Sequence, residues 1–315
     1  MTDVRASGVP EPPAPEGPAL GYTPTDIALL AVLGIAWGVA YVFIREGILF
    51  GATPIVYAGS RYALSAAAFA LIALARKEPW PRGRDLTVSA LVGGVLVIGL
   101  YGGFLYWGEQ YSTGGYASVL STTSPILTVV IAYSLLPGER LSVSALIGIA
   151  IGFAGTVVLV APTVVGGRVG SWQGPLFIIS AFVSTSLGTV LLRRFGGGRQ
   201  GLWQIGAQFA TGALLLGVAA AVLPVPERLP LRPDVLAALG ALVVVSSLVG
   251  YFTYFTLHHR VGPVRANSVA YLLPLVGVAV GTGLFREPVT AWEVVGCVIV
   301  LGGMTLIVRR PSPRT

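Results

Sequence analysis

Long apolar segments recur along this chain, and they constrain its fold more than any other feature. Ten of them, each about 20 residues long, cover approximately 27–44, 54–75, 86–107, 115–136, 142–161, 173–192, 201–223, 234–257, 266–285 and 290–308. Charged residues make up only 10% of the sequence and nearly all lie between the segments, whereas soluble domains carry about 25%. Because a helix of about 20 residues crosses the hydrocarbon core of a bilayer, the sequence predicts an all-α membrane protein with ten transmembrane helices.

The tails and connections of the chain predict its orientation. Residues 1–25 are rich in Pro and Gly and lack an apolar core, so we expect a disordered tail rather than a signal peptide, and residues 309–315 form a second tail. Fourteen Lys and Arg residues lie on the side of the two tails, against five on the opposite side. Because cytoplasmic connections carry the basic excess, we expect both termini in the cytoplasm, in a bacterial-type inner membrane. The net charge of +7 is then an orientation signal rather than a nucleic-acid surface.

The two halves of the chain resemble each other. A shift of 149 residues superposes Pro125 on Pro274, and a shift of 148 superposes identical residues in several helices. The pairs include Arg45 with Arg193, Tyr106 with Tyr254, Glu139 with Glu287 and Gly155 with Gly303. Each half, residues 26–161 and 172–308, would hold five spans, and an odd number of spans inverts the second copy. The sequence therefore predicts a 5+5 inverted repeat, an arrangement typical of transporters that bind substrate between the repeats.

Several segments carry a resemblance to a known family. They include LAVLGIAWGVAYVFIREG, TPIVYAGSRYALSAAAFALIAL, YASVLSTTSPILTVV and RANSVAYLLPLVG, with a Pro inside a helix and a Glu at the following turn in both halves. On these motifs the sequence resembles the EamA-type permeases of the drug/metabolite transporter superfamily from about residue 26 to 308, and it is similar to bacterial aromatic amino-acid exporters. The resemblance implies ten helices, cytoplasmic ends and export of amino acids or related metabolites.

Arg61 is the one cation well inside a predicted span, about two turns after Pro54. An ionisable residue inside a membrane marks by default a site or a water-filled cavity. One interpretation is that Arg61 binds a substrate carboxylate; the other is a structural arginine that hydrogen-bonds backbone carbonyls or reaches the interface. Both stay open from the sequence. Tyr57 lies one turn earlier on the same helix face, so it is a candidate for the same site.

Aromatic residues at membrane depth are further candidates for substrate binding. Trp37, Tyr41, Tyr101 and Tyr251 suit a cavity that stacks an apolar or aromatic substrate. The alternative for each is packing in the core or a place in the aromatic belt at the membrane interface.

Polar residues close to two prolines form the last group of candidates. A proline within a span frees a backbone carbonyl, which a nearby hydroxyl or a substrate can satisfy. Helix packing is the alternative for the small residues among them. The candidates are Ser118, Ser121, Asn267 and Tyr271 for binding, and Pro125 and Pro274 for helix kinks or hinges.

Several kinds of site are missing from the sequence. A single cysteine, Cys297, allows no disulfide or zinc site within one chain. There is no Ser-His-Asp set, HExxH motif or phosphate-cradling loop, so we expect no enzyme activity, cofactor or metal. Glu109 and Glu293 lie at the ends of spans, and no acidic residue lies deep in one. We therefore expect transport without a buried proton-carrying carboxylate.

Together these features predict a secondary transporter that exports amino acids, aromatic or apolar ones among them, or related small metabolites by alternating access. Its expected partners are a small-molecule substrate and the lipid bilayer. We expect a functional monomer, although the sequence leaves an oligomer open. The alternatives are a multidrug or nucleotide-sugar-like carrier, and a membrane enzyme or assembly subunit that transports nothing.

Overall fold

The computed structural model describes residues 22–81, 83–111, 117–118, 120–136, 143–165, 171–196, 200–224, 229–285 and 291–308. These residues fall into ten long helices without a strand among them, which confirms the predicted all-α class. Six helices of the described part of the chain are long and apolar enough to cross a membrane: α1, α2, α3, α6, α7 and α8. The helices are α1 (Pro24–Leu49), α2 (Pro54–Ala75), α3 (Gly83–Glu109), α4 (Thr123–Leu135), α5 (Val143–Val165), α6 (Gln173–Phe195), α7 (Leu202–Val222), α8 (Pro233–Val261), α9 (263–285) and α10 (Ala291–Val308).

Prolines begin four of the helices, because the fixed φ of proline suits the first turn and its missing N–H costs no hydrogen bond there. They are Pro24, Pro54, Pro233 and Pro263. At α1 a capping box adds to this signal. The Thr23 hydroxyl accepts from the Asp26 N–H, and the Asp26 carboxylate accepts from the Thr23 N–H. The helix therefore begins at Pro24, within the predicted tail.

Tyr22 also lies in the predicted tail, yet it is buried against α9. Its hydroxyl donates to the backbone carbonyl of Arg265 over 2.7 Å and lies 2.9 Å from the Ser268 Oγ. Burial raises the pKa of Tyr22 above its ordinary value, so the hydroxyl keeps the proton that it donates. The last residues of the predicted tail, 22–25, therefore belong to the folded bundle. Residues 1–21 and 309–315 lie outside the described residues.

Three helices contain segments that are not α-helical. The third helix of each half carries a π-helical segment, Ser89–Leu100 in α3 and Leu242–Tyr251 in α8, and such segments are frequent at functional sites. In α9 a 3₁₀ segment, Ser268–Tyr271, precedes Pro274. Pro125 is the third residue of α4, directly after a turn in the chain. Both prolines therefore adjoin a helix break, and their role as hinges stays a prediction.

We call the face of the bundle where α1 begins the near face and the face where α1 ends the far face. At the near face Asp26 of α1 pairs with Arg260 at the end of α8. At the far face the Arg45 guanidinium of α1 donates over 2.7 Å to the backbone carbonyl of Glu109, the last residue of α3. Contacts at both faces thus tie α1 to helices of both halves.

The first, third, sixth and eighth helices surround the middle of the bundle. There α1 packs against α8 and α9, α3 packs against α6 and α7, and α4 packs against α6 and α9. At the periphery α2 lies on α7, and α5 lies on α10. A Cβ added at Gly303 of α10 would come 2.6 Å from the backbone nitrogen of Gly152 in α5. Glycine therefore allows these two backbones to touch.

Candidate substrate site

Two adjoining cavities lie in the middle of the bundle. The near cavity encloses about 420 Å³ of non-atom space and the far cavity about 320 Å³, with open solvent included in both volumes. They share the side chains of Trp37, Tyr41, Tyr101 and Tyr251. The near cavity adds Val97, Ser124, Phe182, Thr185, Tyr254, Asn267, Val269, Ala270 and Leu273, and the far cavity adds Ala40, Ile44, Arg61, Leu105 and Ser246.

Trp37 is the centre of the aromatic wall. Its ring centroid lies 5.2 Å from that of Tyr251 and 5.0 Å from that of Tyr254. The indole Nε1 donates over 3.2 Å to the carbonyl of Ser246, in the π-helical segment of α8. A Cβ at Gly250 would lie 2.5 Å from this nitrogen, so glycine makes room for the indole. The result is a fixed apolar surface with orienting hydroxyl groups, which suits an aromatic or apolar substrate group.

Arg61 lies on the wall of the far cavity and is only 4% exposed. Its guanidinium donates to the Ser247 Oγ over 3.0 Å, to the Tyr106 hydroxyl over 3.0 Å and to the Ser246 Oγ over 2.8 Å. All three partners are neutral. Among the described residues no carboxylate lies within ion-pair distance of it. Within the described part of the chain the buried positive charge therefore has no carboxylate in direct contact, although burying an unpaired charge is costly.

A chain of hydrogen bonds forms the near end of the near cavity. The Tyr254 hydroxyl of α8 donates over 2.9 Å to the Asn267 Oδ1 of α9. The Asn267 Nδ2 in turn donates over 2.7 Å to the Thr128 Oγ1 of α4, which lies 3.0 Å from the Ser186 Oγ of α6. Four helices from both halves thus meet in one buried polar network, which sets Asn267 firmly in place.

The cavities contain six of the ten residues predicted to bind substrate: Trp37, Tyr41, Arg61, Tyr101, Tyr251 and Asn267. The other four are buried but line neither cavity. Tyr57 reaches the carbonyl of Phe43 at 3.3 Å, and Tyr271 reaches that of Ile149 at 2.9 Å. Ser118 and Ser121 lie next to each other, with the Ser121 hydroxyl donating to the Ser118 carbonyl. These four side chains pack helices together in this conformation.

Phe182 and Thr185 of α6 line the near cavity, although the sequence analysis did not select them. The internal repeat held a signal for Thr185, because the shift of 148 superposes it on Trp37. The sequence holds no such signal for Phe182, because a single Phe in an apolar span indicates only helix packing. Its ring stands edge-on to Tyr101 with centroids 5.8 Å apart, which completes the aromatic wall.

Glu109 bears on the expectation of transport without a buried proton-carrying carboxylate, because its carboxyl group is buried. It is the last residue of α3, as the sequence analysis placed it, yet none of its surface is exposed. The end of a span need not be at the surface, because α1, α2 and α6 cover the end of α3. A buried carboxyl group is therefore present in the bundle.

Other predicted features have no place in the described structure. Glu139 and Glu287, the pair at the turns, lie outside the described residues, as does Arg286. Within the described ranges no three metal-ligating side chains come together.

A comparison with known families identifies the fold and the general activity. The model of the EamA-like transporter family matches residues 25–161 and again residues 172–309. The chain belongs to this family. Two matches in succession are the signature of a duplicated unit, and with the all-helical structure they fit an inverted repeat of five plus five helices.

Several relatives extend along almost the whole EamA domain pair. An uncharacterized transporter, YvbV of Bacillus subtilis, is 27% identical over 288 residues, covering 89% of this chain and 90% of its own. The uncharacterized inner membrane transporter YedA of Escherichia coli is 28% identical over 287 residues, 88% of this chain and 89% of its own. A probable terminal-alkyne amino-acid exporter of Streptantibioticus cattleyicolor is 26% identical over 289 residues, which cover 90% of this chain and 94% of its own. These relatives are named as transporters.

A solved crystal structure shows the same fold. It matches with a TM-score of 0.69 at 19% identity, over 90% of this chain and 96% of that chain. The chain is thus a multi-span membrane protein of a transporter family.

Proposed function

We propose that this protein exports amino acids or related small carboxylate-bearing metabolites by alternating access. The observation that carries the proposal is Arg61, a buried cation without a carboxylate partner among the described residues, on the wall of a central cavity. A substrate carboxylate supplies the missing counter-charge through charge-assisted hydrogen bonds. The relative from Streptantibioticus cattleyicolor, named a probable amino-acid exporter, supports the same substrate class.

The aromatic wall supplies the second half of substrate recognition. Trp37, Tyr101 and Tyr251 line both cavities, the far cavity together with Arg61, and Tyr254 lines the near cavity. A substrate with its carboxylate at Arg61 places its side chain against these rings, which favours aromatic or apolar amino acids over charged ones. Asn267, at the near end of the near cavity, supplies an amide for the remaining polar groups of the substrate.

The experiment is a substrate panel with purified protein in liposomes. Exchange of a preloaded, labelled aromatic amino acid should be competed by aromatic and aliphatic amino acids, and weakly by their amides. Competition by lipophilic cations or nucleotide sugars, with none by amino acids, would instead establish the multidrug or nucleotide-sugar alternative. The same assay with the enantiomeric amino acids reports whether polar groups beyond Arg61 fix the ammonium group.

A further inference from the structure

The carboxyl group of Glu109 has no role in the substrate site proposed above. It is fully buried at the far face, and among the described residues neither carboxyl oxygen has a hydrogen-bond partner. Buried carboxyl groups are normally hydrogen-bonded or paired, because the ionised form is expensive to bury. A buried carboxyl group without a hydrogen-bond partner inside a transporter is therefore a candidate for a role in transport.

The groups that face this carboxyl come from α1, α2 and α3. Two cations act on it electrostatically, Arg45 and Arg61, and the hydroxyls of Tyr41 and Tyr106 lie within its field. Arg45 does not neutralise it directly, because its guanidinium donates to the backbone carbonyl of Glu109 and not to the carboxylate. The site thus offers positive potential without an ion pair.

The carboxyl also lies close to the transport path. Glu109 follows Leu105, which lines the far cavity, by one helical turn on the same face of α3. From α6 the neighbour of this helix end is apolar, with Ile178 packed on Gly108. Glu109 itself lines neither cavity and has no exposed surface, so a proton exchange with water requires the far cavity or the far face to open towards it.

The second half of the chain holds a comparable group at the near face. The shift of 148, which superposes Tyr106 on Tyr254 and Arg45 on Arg193, places Glu109 on Leu257, one residue before His258. His258 is 7% exposed, its Nε2 lacks a hydrogen-bond partner, and Arg193 is the cation that acts on it. Each half thus holds a buried ionisable side chain near the end of its third helix with an arginine acting on it, at positions one residue apart in the repeat.

We propose that Glu109 is the proton-binding residue that couples transport to a proton gradient, a role that rests on the transport function proposed above. With the far face open, the carboxylate takes a proton from water and becomes a neutral carboxylic acid. The far face then closes over it, because a neutral carboxyl is cheaper to bury than a carboxylate. With the near face open, the proton leaves through the cavity to water on the near side. The ionised carboxylate then favours reopening of the far face with substrate bound. One proton moves from the far to the near side for each substrate molecule moved the other way.

Accumulation of substrate in liposomes tests this coupling. Exchange of one proton for one zwitterion moves a net charge, so the membrane potential is held at zero with K⁺ and valinomycin. An acidic lumen should then accumulate labelled amino acid roughly tenfold per unit of pH difference, because equal concentration ratios of proton and substrate balance in free energy. The Glu109→Gln protein should only equilibrate the substrate, and Glu109→Asp, which keeps the acid, should still accumulate it. Glu46→Gln is the matched control, since Glu46 is a half-buried acid near the same end of the bundle, and it should accumulate substrate as the wild type does.

The outcomes separate the coupling from the transport function. Exchange by the wild type without accumulation under a pH gradient would overturn the role of Glu109 and leave the transport function intact. Accumulation by Glu109→Gln equal to the wild type would overturn it as well. Absence of any amino-acid exchange by the wild type would refute the transport function and this coupling together. If Glu109→Gln does not fold, the coupling is measured with a pH-sensitive dye inside wild-type liposomes. Influx of substrate should release about one lumenal proton per substrate molecule. Substrate influx without proton movement would reject the proposal.

Discussion

Replacing Arg61 with Leu removes the only charged group found on the cavity walls among the described residues. The substitution deletes three hydrogen bonds to hydroxyl groups and the proposed bond to the substrate. These two losses have different consequences. The first weakens the packing of α2 against α3 and α8 for every substrate, whereas the second affects only substrates that carry a carboxylate.

The expected magnitude follows from the number and kind of these bonds. A hydrogen bond to a charged group contributes about 1.5 to 3 kcal/mol. At about 1.4 kcal/mol per factor of ten in affinity, loss of the substrate contact weakens acid substrates about 10- to 100-fold. The Ser246 and Ser247 hydroxyls can turn to backbone carbonyls of their own helix, so the structural cost is smaller than three bonds. Arg61→Lys should recover part of the affinity, because an ammonium lacks the planar fork of a guanidinium.

The assay is competition of labelled amino-acid exchange by unlabelled acids and by their amides, at matched amounts of folded protein in the liposomes. Arg61→Leu should lose affinity for the acids and keep that for the amides. Arg76→Leu, an exposed arginine at the C-terminal end of the same helix, is the matched control and should change neither. Equal losses for acids and amides would refute carboxylate binding and leave Arg61 as a structural residue, with Asn267 as the next candidate for substrate recognition.

Three further predictions concern orientation, packing and the near end of the site. Single cysteines at Pro10 and Ser312 should resist an impermeant thiol reagent in intact cells if both ends are cytoplasmic, and labelling of either would reject the predicted topology. Gly303→Ala should lower the unfolding temperature, because its Cβ would meet the backbone of α5 at 2.6 Å, whereas Gly302→Ala, with open space around it, should be neutral or slightly stabilising. Asn267→Ala should destabilise the protein by about 1 to 3 kcal/mol, because it removes two buried hydrogen bonds, one from the Tyr254 hydroxyl and one to the Thr128 Oγ1; an unchanged unfolding transition in detergent would show that these two bonds contribute nothing.

The helices could be predicted because a segment that crosses the apolar core of a membrane must itself be long and apolar. Predicted spans 54–75 and 201–223 agree with α2 and α7 to within a residue at each end, because a proline and a glycine mark their starts and apolar runs mark their lengths. The start of α1 was harder. Tyr22 and Thr23 are polar or aromatic residues in a Pro-rich context, and only contacts with α9 and the capping box show that they belong to the folded bundle.

Site residues were predictable where their chemistry is unusual for a membrane. Arg61 and Trp37 stand out by residue type alone, and both line the cavities. Tyr57 shares a helix face with Arg61, but its ring turns to α1, where Gly47 leaves room for it. Burial of Glu109 depends on how far neighbouring helices extend past the end of α3, and no pattern within one helix carries that information. Side-chain direction and coverage by other helices are tertiary properties.

Two hydrogen bonds between the halves involve the π-helical segments. Trp37 of α1 donates to the Ser246 carbonyl in the π-helical segment of α8, and Ser184 of α6 donates to the Leu96 carbonyl in that of α3, over 2.9 Å. In each case the first helix of one half donates to the third helix of the other half. The positions are close but not equivalent, since the shift of 148 places Trp37 on Thr185, next to Ser184, and Leu96 on Val244, two residues from Ser246. A π-helical segment leaves its carbonyls poorly matched to an α-helical ladder, so a partner on a neighbouring helix stabilises it. The same pairing of helices in both directions fits an inverted repeat of five plus five helices.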